Sequence, residues 1–194
     1  MTHAHTPWSS RWCGRAATAF AAGLLAFAPV RSQVQAPLSE AQAKAAFILN
    51  FARYVEWPAA AFATRESPVV ACLVERAALL GALTALEGRM VQGRPLKVRR
   101  SSGADDLRGC HVVFIGEADE RRIVPLLHAL AGQPVLTVGD ADRFVDLGGA
   151  IGIVLGDERL QFEVNRGALE QAQLKASASL LKLARSVLGN GGVQ

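Results

Sequence analysis

From Ser39 onward the apolar positions alternate between two kinds of spacing. Ser39 is placed to cap a helix, Gln42 sits three residues on as its capping-box partner, and an alanine-rich stretch follows. Phe47, Phe51 and Tyr54 recur at i, i+4 and i+7, so the spacing predicts one apolar helix face, ended by Pro58 near Glu56-Trp57. Val69 to Val74 is then a continuous apolar run, the pattern of a strand buried on both faces. Arg76 to Leu86 reads as a second helix. Leu96 to Arg99 alternates as a half-exposed strand after a turn bracketed by Gly88 and Gly93. Cys110 to Ile115 is a second buried strand, Asp119 to Leu130 a third helix, and Pro134 to Val138 a further strand. Ala150 to Leu155 and Leu160 to Val164 flank Gly156-Asp157-Glu158-Arg159, a hairpin turn by length and composition. Asn165 can cap a short helix, and Leu180, Leu183, Ala184 and Val187 place a stripe on a C-terminal helix.

Strand and helix in alternation predict an α/β fold. The expectation is a single-domain mixed, mainly parallel sheet of five to six strands, helices on both faces, and a C-terminal β-hairpin plus helix. No internal repeat or low-complexity linker breaks the chain.

The first 36 residues carry a different pattern. Arg11 and Arg15 precede Ala16 to Ala28, an apolar and small-residue run, and small residues follow. This reads as a secretory signal peptide over residues 1–36, cleaved somewhere in 28–36, with the α/β domain at 37–190 and a disordered tail at 191–194. The run is shorter than the ~20 residues that span a bilayer. Cys13 lacks a lipobox, so lipidation is not expected. The expected location is the periplasm.

Composition then corrects a first impression. The 194 residues are 51% hydrophobic and 20% charged, with a net charge of +4. Three basic residues and no acid fall in the leader, leaving 18 Lys and Arg against 17 Asp and Glu beyond it. A nearly neutral mature chain does not favour nucleic acid as a partner. Two cysteines, Cys72 and Cys110, remain past the leader. In an oxidising compartment such a pair usually crosslinks, adding about 4 kcal/mol by the chain-entropy estimate; the alternative is two reduced, buried apolar residues.

Catalytic chemistry is hard to find. There is no Walker sequence, and Gly148-Gly149-Ala150-Ile151-Gly152 precedes a strand instead of following one. His111 and His128 lie far apart with no metal-ligand spacing, so neither a metal nor another cofactor is expected. No G-x-S-x-G elbow occurs. Asp140 and Asp142 follow a strand end, where α/β sites gather, but Gly-Asp-Ala-Asp is also an ordinary turn and cap. The chain does not read as an enzyme.

Six stretches in register carry a resemblance. Lys44 to Pro58 (KAAFILNFARYVEWP), Cys110 to Ile115, Leu136 to Asp140, Phe144 to Gly149, Phe162 to Asn165 and Ser177 to Ala184 together resemble the YfiR-like family over about residues 40–188. The resemblance implies a periplasmic, non-catalytic regulator that represses an inner-membrane, YfiN-like diguanylate cyclase by protein–protein contact, lowering cyclic-di-GMP signalling and biofilm formation. It also implies a redox input, with Cys72 and Cys110 where one family disulfide lies. A second family cysteine pair has no counterpart here, where Asp146 to Gly152 stands. Some relatives accompany histidine kinases, so a ligand-sensing module coupled to a kinase is the alternative, with a pocket near Asp140 and Arg143. A homodimer stays open.

Candidate partner-binding residues are Asn50, Arg53 and Trp57, placed opposite the aromatic face of the first helix, and Glu163 and Asn165 on the last strand. Trp57 reads equally as an interface anchor and as a cap on the core. Glu163 and Asn165 alternate with Phe162 and Val164, and by default they read as a solvated position and an N-cap. Arg89, Arg94, Lys97, Arg99 and Arg100 form a basic ribbon, by default a solvated edge.

Overall fold

The computed structural model describes residues 38–74, 77–116, 120–156 and 159–189. The leader, the start of the second and third helices, Asp157-Glu158 of the hairpin turn and the 191–194 tail lie outside them.

Helix α1 (Glu40–Tyr54) begins as its cap predicts. Ser39 N–H donates to Gln42 Oε1 at 2.9 Å and Gln42 N–H to Ser39 Oγ at 3.2 Å, a closed capping box. Its buried stripe is Ala45, Ile48, Leu49 and Ala52 together with Phe51. Tyr54, expected on that face, is exposed, although Phe47 and Phe51 of the same row pack on Phe162 of the sheet. The helix stops before Trp57: Val55 turns extended and opens the two-residue strand β1 (Val55–Glu56).

Strand β2 (Val69–Val74) occupies the middle of the sheet, and helix α2 (Ala77–Thr84) follows. Then come β3 (Met90–Val91), β4 (Arg94–Ser101), β5 (Val112–Ile115), α3 (Glu120–Leu130), β6 (Leu136–Gly139), β7 (Ile151–Gly156) and β8 (Arg159–Asn165). The chain closes with α4 (Arg166–Gln171), β9 (Lys175–Ala176), α5 (Ala178–Leu183) and β10 (Ser186–Leu188). One eight-stranded sheet has the order β10-β8-β7-β6-β5-β2-β4-β3, and β1 pairs with β9 in a separate ribbon. β4, β2, β5, β6 and β7 are parallel neighbours; β8 returns antiparallel to β7, and β10 runs parallel to β8.

The α/β class and the hairpin are as the sequence predicts, but the sheet has eight strands instead of five to six. The largest difference is at the C-terminus. Ser177 caps α5 through Leu180 N–H, the helix ends at Leu183, and Ala184 turns extended so that Ser186–Leu188 can pair with the outer side of β8. The i, i+3, i+4, i+7 spacing there describes only six helical residues. Only Leu180 of that stripe is buried.

Side-chain alternation along the buried strands feeds two cores. Ala71, Leu73, Val112, Phe114, Leu136 and Val138 face α1 and α2. Cys72, Val74, Val113 and Ile115 face α3, with Ile123, Leu127 and Phe144.

Candidate functional site

Cys72 on β2 and Cys110 at the start of β5 lie on neighbouring parallel strands, on the α3 face. Their Sγ atoms are bonded, with Cα atoms 5.9 Å apart across 38 residues of sequence. Both are buried. One guanidinium nitrogen of Arg99 donates to the carbonyls of Asp106 (2.7 Å) and Arg108 (2.9 Å) and lies 3.1 Å from Cys110 Sγ. Arg99 is thus a brace on the loop leading into the crosslink and not a free member of a basic ribbon. Arg94 also departs from that reading. It donates to the carbonyls of Thr64, Arg65 and Ser67 and lies 3.7 Å over the Phe62 ring.

The same aromatic cluster holds His111. Its Nδ1 accepts from Val70 N–H at 3.1 Å, and Nε2 lies 3.1 Å from Ala61 O, which selects the neutral Nε2–H tautomer. The ring stacks on Phe62 with centroids 4.4 Å apart. Burial lowers the pKa of His111 below 6.5 and the nearby Arg94 charge adds to this, against the opposing bond to Ala61. Both ring nitrogens serve backbone and Cys110 is crosslinked, so neither is available as half of a soft-metal pair.

Trp57 belongs to this cluster. Its indole N–H donates to His111 O at 3.2 Å and its ring meets Phe62 edge-on. Arg53 donates to Met90 O at 3.3 Å, near β3 at one end of the sheet, and Asn50 is exposed on α1. Glu163 and Asn165 are on β8, toward the other end. Asn165 Oδ1 accepts from Ala168 N–H, and its amide donates to Val145 O, so it both caps α4 and ties down the β6–β7 connection. The five expected partner residues are therefore spread over two regions, and no hydrogen bond or ion pair among the described residues joins the groups.

Sequence reasoning missed one polar contact. Lys44 Nζ lies 2.6 Å from Asp140 Oδ2 and also reaches Glu40, with the Asp140 side chain 3% exposed. Burial opposes the Lys44 charge, yet its bonds to Asp140 and Glu40 outweigh that and raise its pKa above 10.5. Asp140 is thus a buried counter-ion for α1. The two residues stand in the first and third of the recognised stretches, but nothing in one dimension pairs them. A cleft of about 440 Å³ opens beside this pair at the C-terminal ends of the strands, lined also by Asp142, Leu155, Leu160 and Arg185. Arg143 does not line it and pairs with Asp146 at 3.2 Å.

Adjacent to the cleft the surface turns apolar. Leu155 and Leu183 are 73% and 72% exposed, and Val187 is also exposed. Leu183 also walls a groove of about 420 Å³ together with Phe47, Leu160 and Phe162.

The described domain is thus a mixed-sheet α/β fold with braced polar clusters and an apolar edge. The chain belongs to the YfiR/HmsC-like family, whose model matches residues 41–185. This is a regulatory family, and membership supports a periplasmic location. Among the described residues no helix is long and apolar enough to cross a membrane. The solved structures that resemble the chain include two of low identity. One is a conserved domain protein from Vibrio cholerae, at 14% identity and a TM-score of 0.49, covering 79% of this chain and 62% of that one. The other is the ABC domain from Streptococcus pneumonia in complex with L-Trp, at 9% identity and a TM-score of 0.48, covering 76% and 60%. The chain spans less than two thirds of the length of either.

Proposed function

We propose that the protein is exported by its leader, residues 1–36, and represses an inner-membrane diguanylate cyclase by direct contact, without catalysis. Repression lowers cyclic-di-GMP and with it biofilm formation. The domain that does this comprises residues 37–190. The observation that carries the reading is the joint presence of family membership and exposed apolar side chains at Leu155, Leu183 and Val187. The Cys72–Cys110 crosslink fixes β5 to β2 and so sets how rigidly the sheet presents that edge. In this reading Trp57 and Asn165 support the surface, whereas Asn50, Arg53 and Glu163 contact the partner.

A second reading has one observation in its favour. The polar cleft beside Lys44 and Asp140 could hold a small ligand and make the domain a sensor coupled to a histidine kinase.

The separating experiment measures cellular cyclic-di-GMP in a deletion strain complemented with the full gene or with a leaderless copy. The expected result is a rise on deletion that only the exported copy reverses. An unchanged level removes the cyclase link and favours the kinase-coupled sensor.

A further inference from the structure

The outer side of β8 is covered along only part of its length. Asn165 N–H donates to Ala150 O at 2.8 Å, whereas Phe162 O accepts from Arg185 N–H on the opposite side, also at 2.8 Å. Odd-numbered residues of β8 thus turn their backbone groups toward β7, and even-numbered ones toward the β10 side. β10 begins only at Ser186, opposite Glu163. Leu160 is an even-numbered residue with no strand alongside among the described residues, so its N–H and C=O open onto the groove walled by Phe47, Phe162 and Leu183. Arg159 and Arg185 also line it, both exposed and neither in an ion pair among the described residues.

An open rung of strand backbone beside an apolar trough is a template for one more strand. Two arginines at its wall with no ion pair among the described residues favour carboxylates on whatever fills it. A second copy's β10 fits poorly, since Arg185-Ser186-Val187-Leu188 brings another cation and no acid. We propose that this notch takes an extended segment of a partner protein by strand addition beside β8, a segment that alternates apolar side chains with Asp or Glu. The inference names how the repressor described above engages its partner and rests on that reading for the partner's identity alone.

The test uses the exported chain, purified from periplasm and isotope-labelled, titrated with a short synthetic peptide alternating valine with glutamate. A lysine-for-glutamate counterpart and phosphatidylglycerol vesicles serve as comparisons. The Leu160 amide should shift with the glutamate peptide, and the lysine peptide should bind about tenfold more weakly or worse. Leu160→Pro should fold, because proline is tolerated where the N–H faces an open edge, yet lose about tenfold in affinity. Leu183→Glu, at a position exposed enough to leave the fold intact, should lose a similar factor by charge repulsion. Each of the following overturns the proposal: no response to the glutamate peptide at millimolar concentration, equal binding of the lysine peptide, undiminished binding by folded Leu160→Pro, or a response to vesicles alone. Failure of Leu160→Pro to fold also counts against it, since the N–H would then already be bonded. In cells the two ideas separate. If deletion raises cyclic-di-GMP and Leu183→Glu complements fully, the notch fails and the repressor stands. If the peptide binds as expected and deletion changes nothing, the repressor fails and the notch stands.

Discussion

Phe144 occupies the space that side chains at Gly139 and Gly149 would need, and a methyl group on either would overlap its ring. Gly139→Ala or Gly149→Ala should therefore cost about 1–3 kcal/mol through overpacking, read as a lowered urea midpoint at unchanged slope. His111 makes the second prediction at this scale. Its folded pKa lies below the ordinary 6.5, so its contribution is fully present above 6.5 and is lost as the pH falls below that value, where the unfolded chain takes up a proton that the folded one resists. Thermal unfolding of the exported chain at pH 7.5 and 5 should show this loss. His111→Asn, whose amide can serve both backbone partners without titrating, should show less of it. Trp57 is the sole tryptophan after the leader and is bonded to His111 O, so its fluorescence reports the same event locally.

At the scale of elements, what was legible in the sequence is what local chemistry decides. The Ser39–Gln42 box could be read because its partners are three residues apart, and β2 and β5 because strands buried on both faces leave unbroken apolar runs. The C-terminal helix was only half legible. Its spacing is helical, but the uncovered side of β8 recruits Ser186–Leu188 as a strand, and no window of sequence contains that demand. The candidate site was less legible than the fold, because Lys44 and Asp140 are 96 residues apart. Their ion pair pins α1 to the end of β6. Lys44→Met should destabilise by about 3 kcal/mol, since it removes the ammonium that faces a buried carboxylate. Adding Asp140→Leu should recover part of that loss, measured as a double-mutant cycle in urea.

For the whole molecule, the crosslink and the apolar edge lie in different parts of the sheet. Reduction of Cys72–Cys110 should cost about 4 kcal/mol on the chain-entropy estimate, seen as a fall in the denaturation midpoint with dithiothreitol that Cys72→Ser reproduces. Amide exchange should then quicken in β4, the 104–110 loop and β5 before it does in the β7–β8 hairpin. Any redox effect on partner binding thus travels through the strands between.

The first and last parts of the domain are also stitched together. β1 pairs with β9 through Val55 and Ala176, Ser177 N–H donates to Tyr54 O at 2.8 Å, and Phe47 and Phe51 pack on Phe162. A chain made N-terminus first delivers α1 long before the residues that hold it in place. Its aromatic face must wait, uncovered, until Phe162 has arrived, and a truncation ahead of Phe162 would leave the opening helix without its partners.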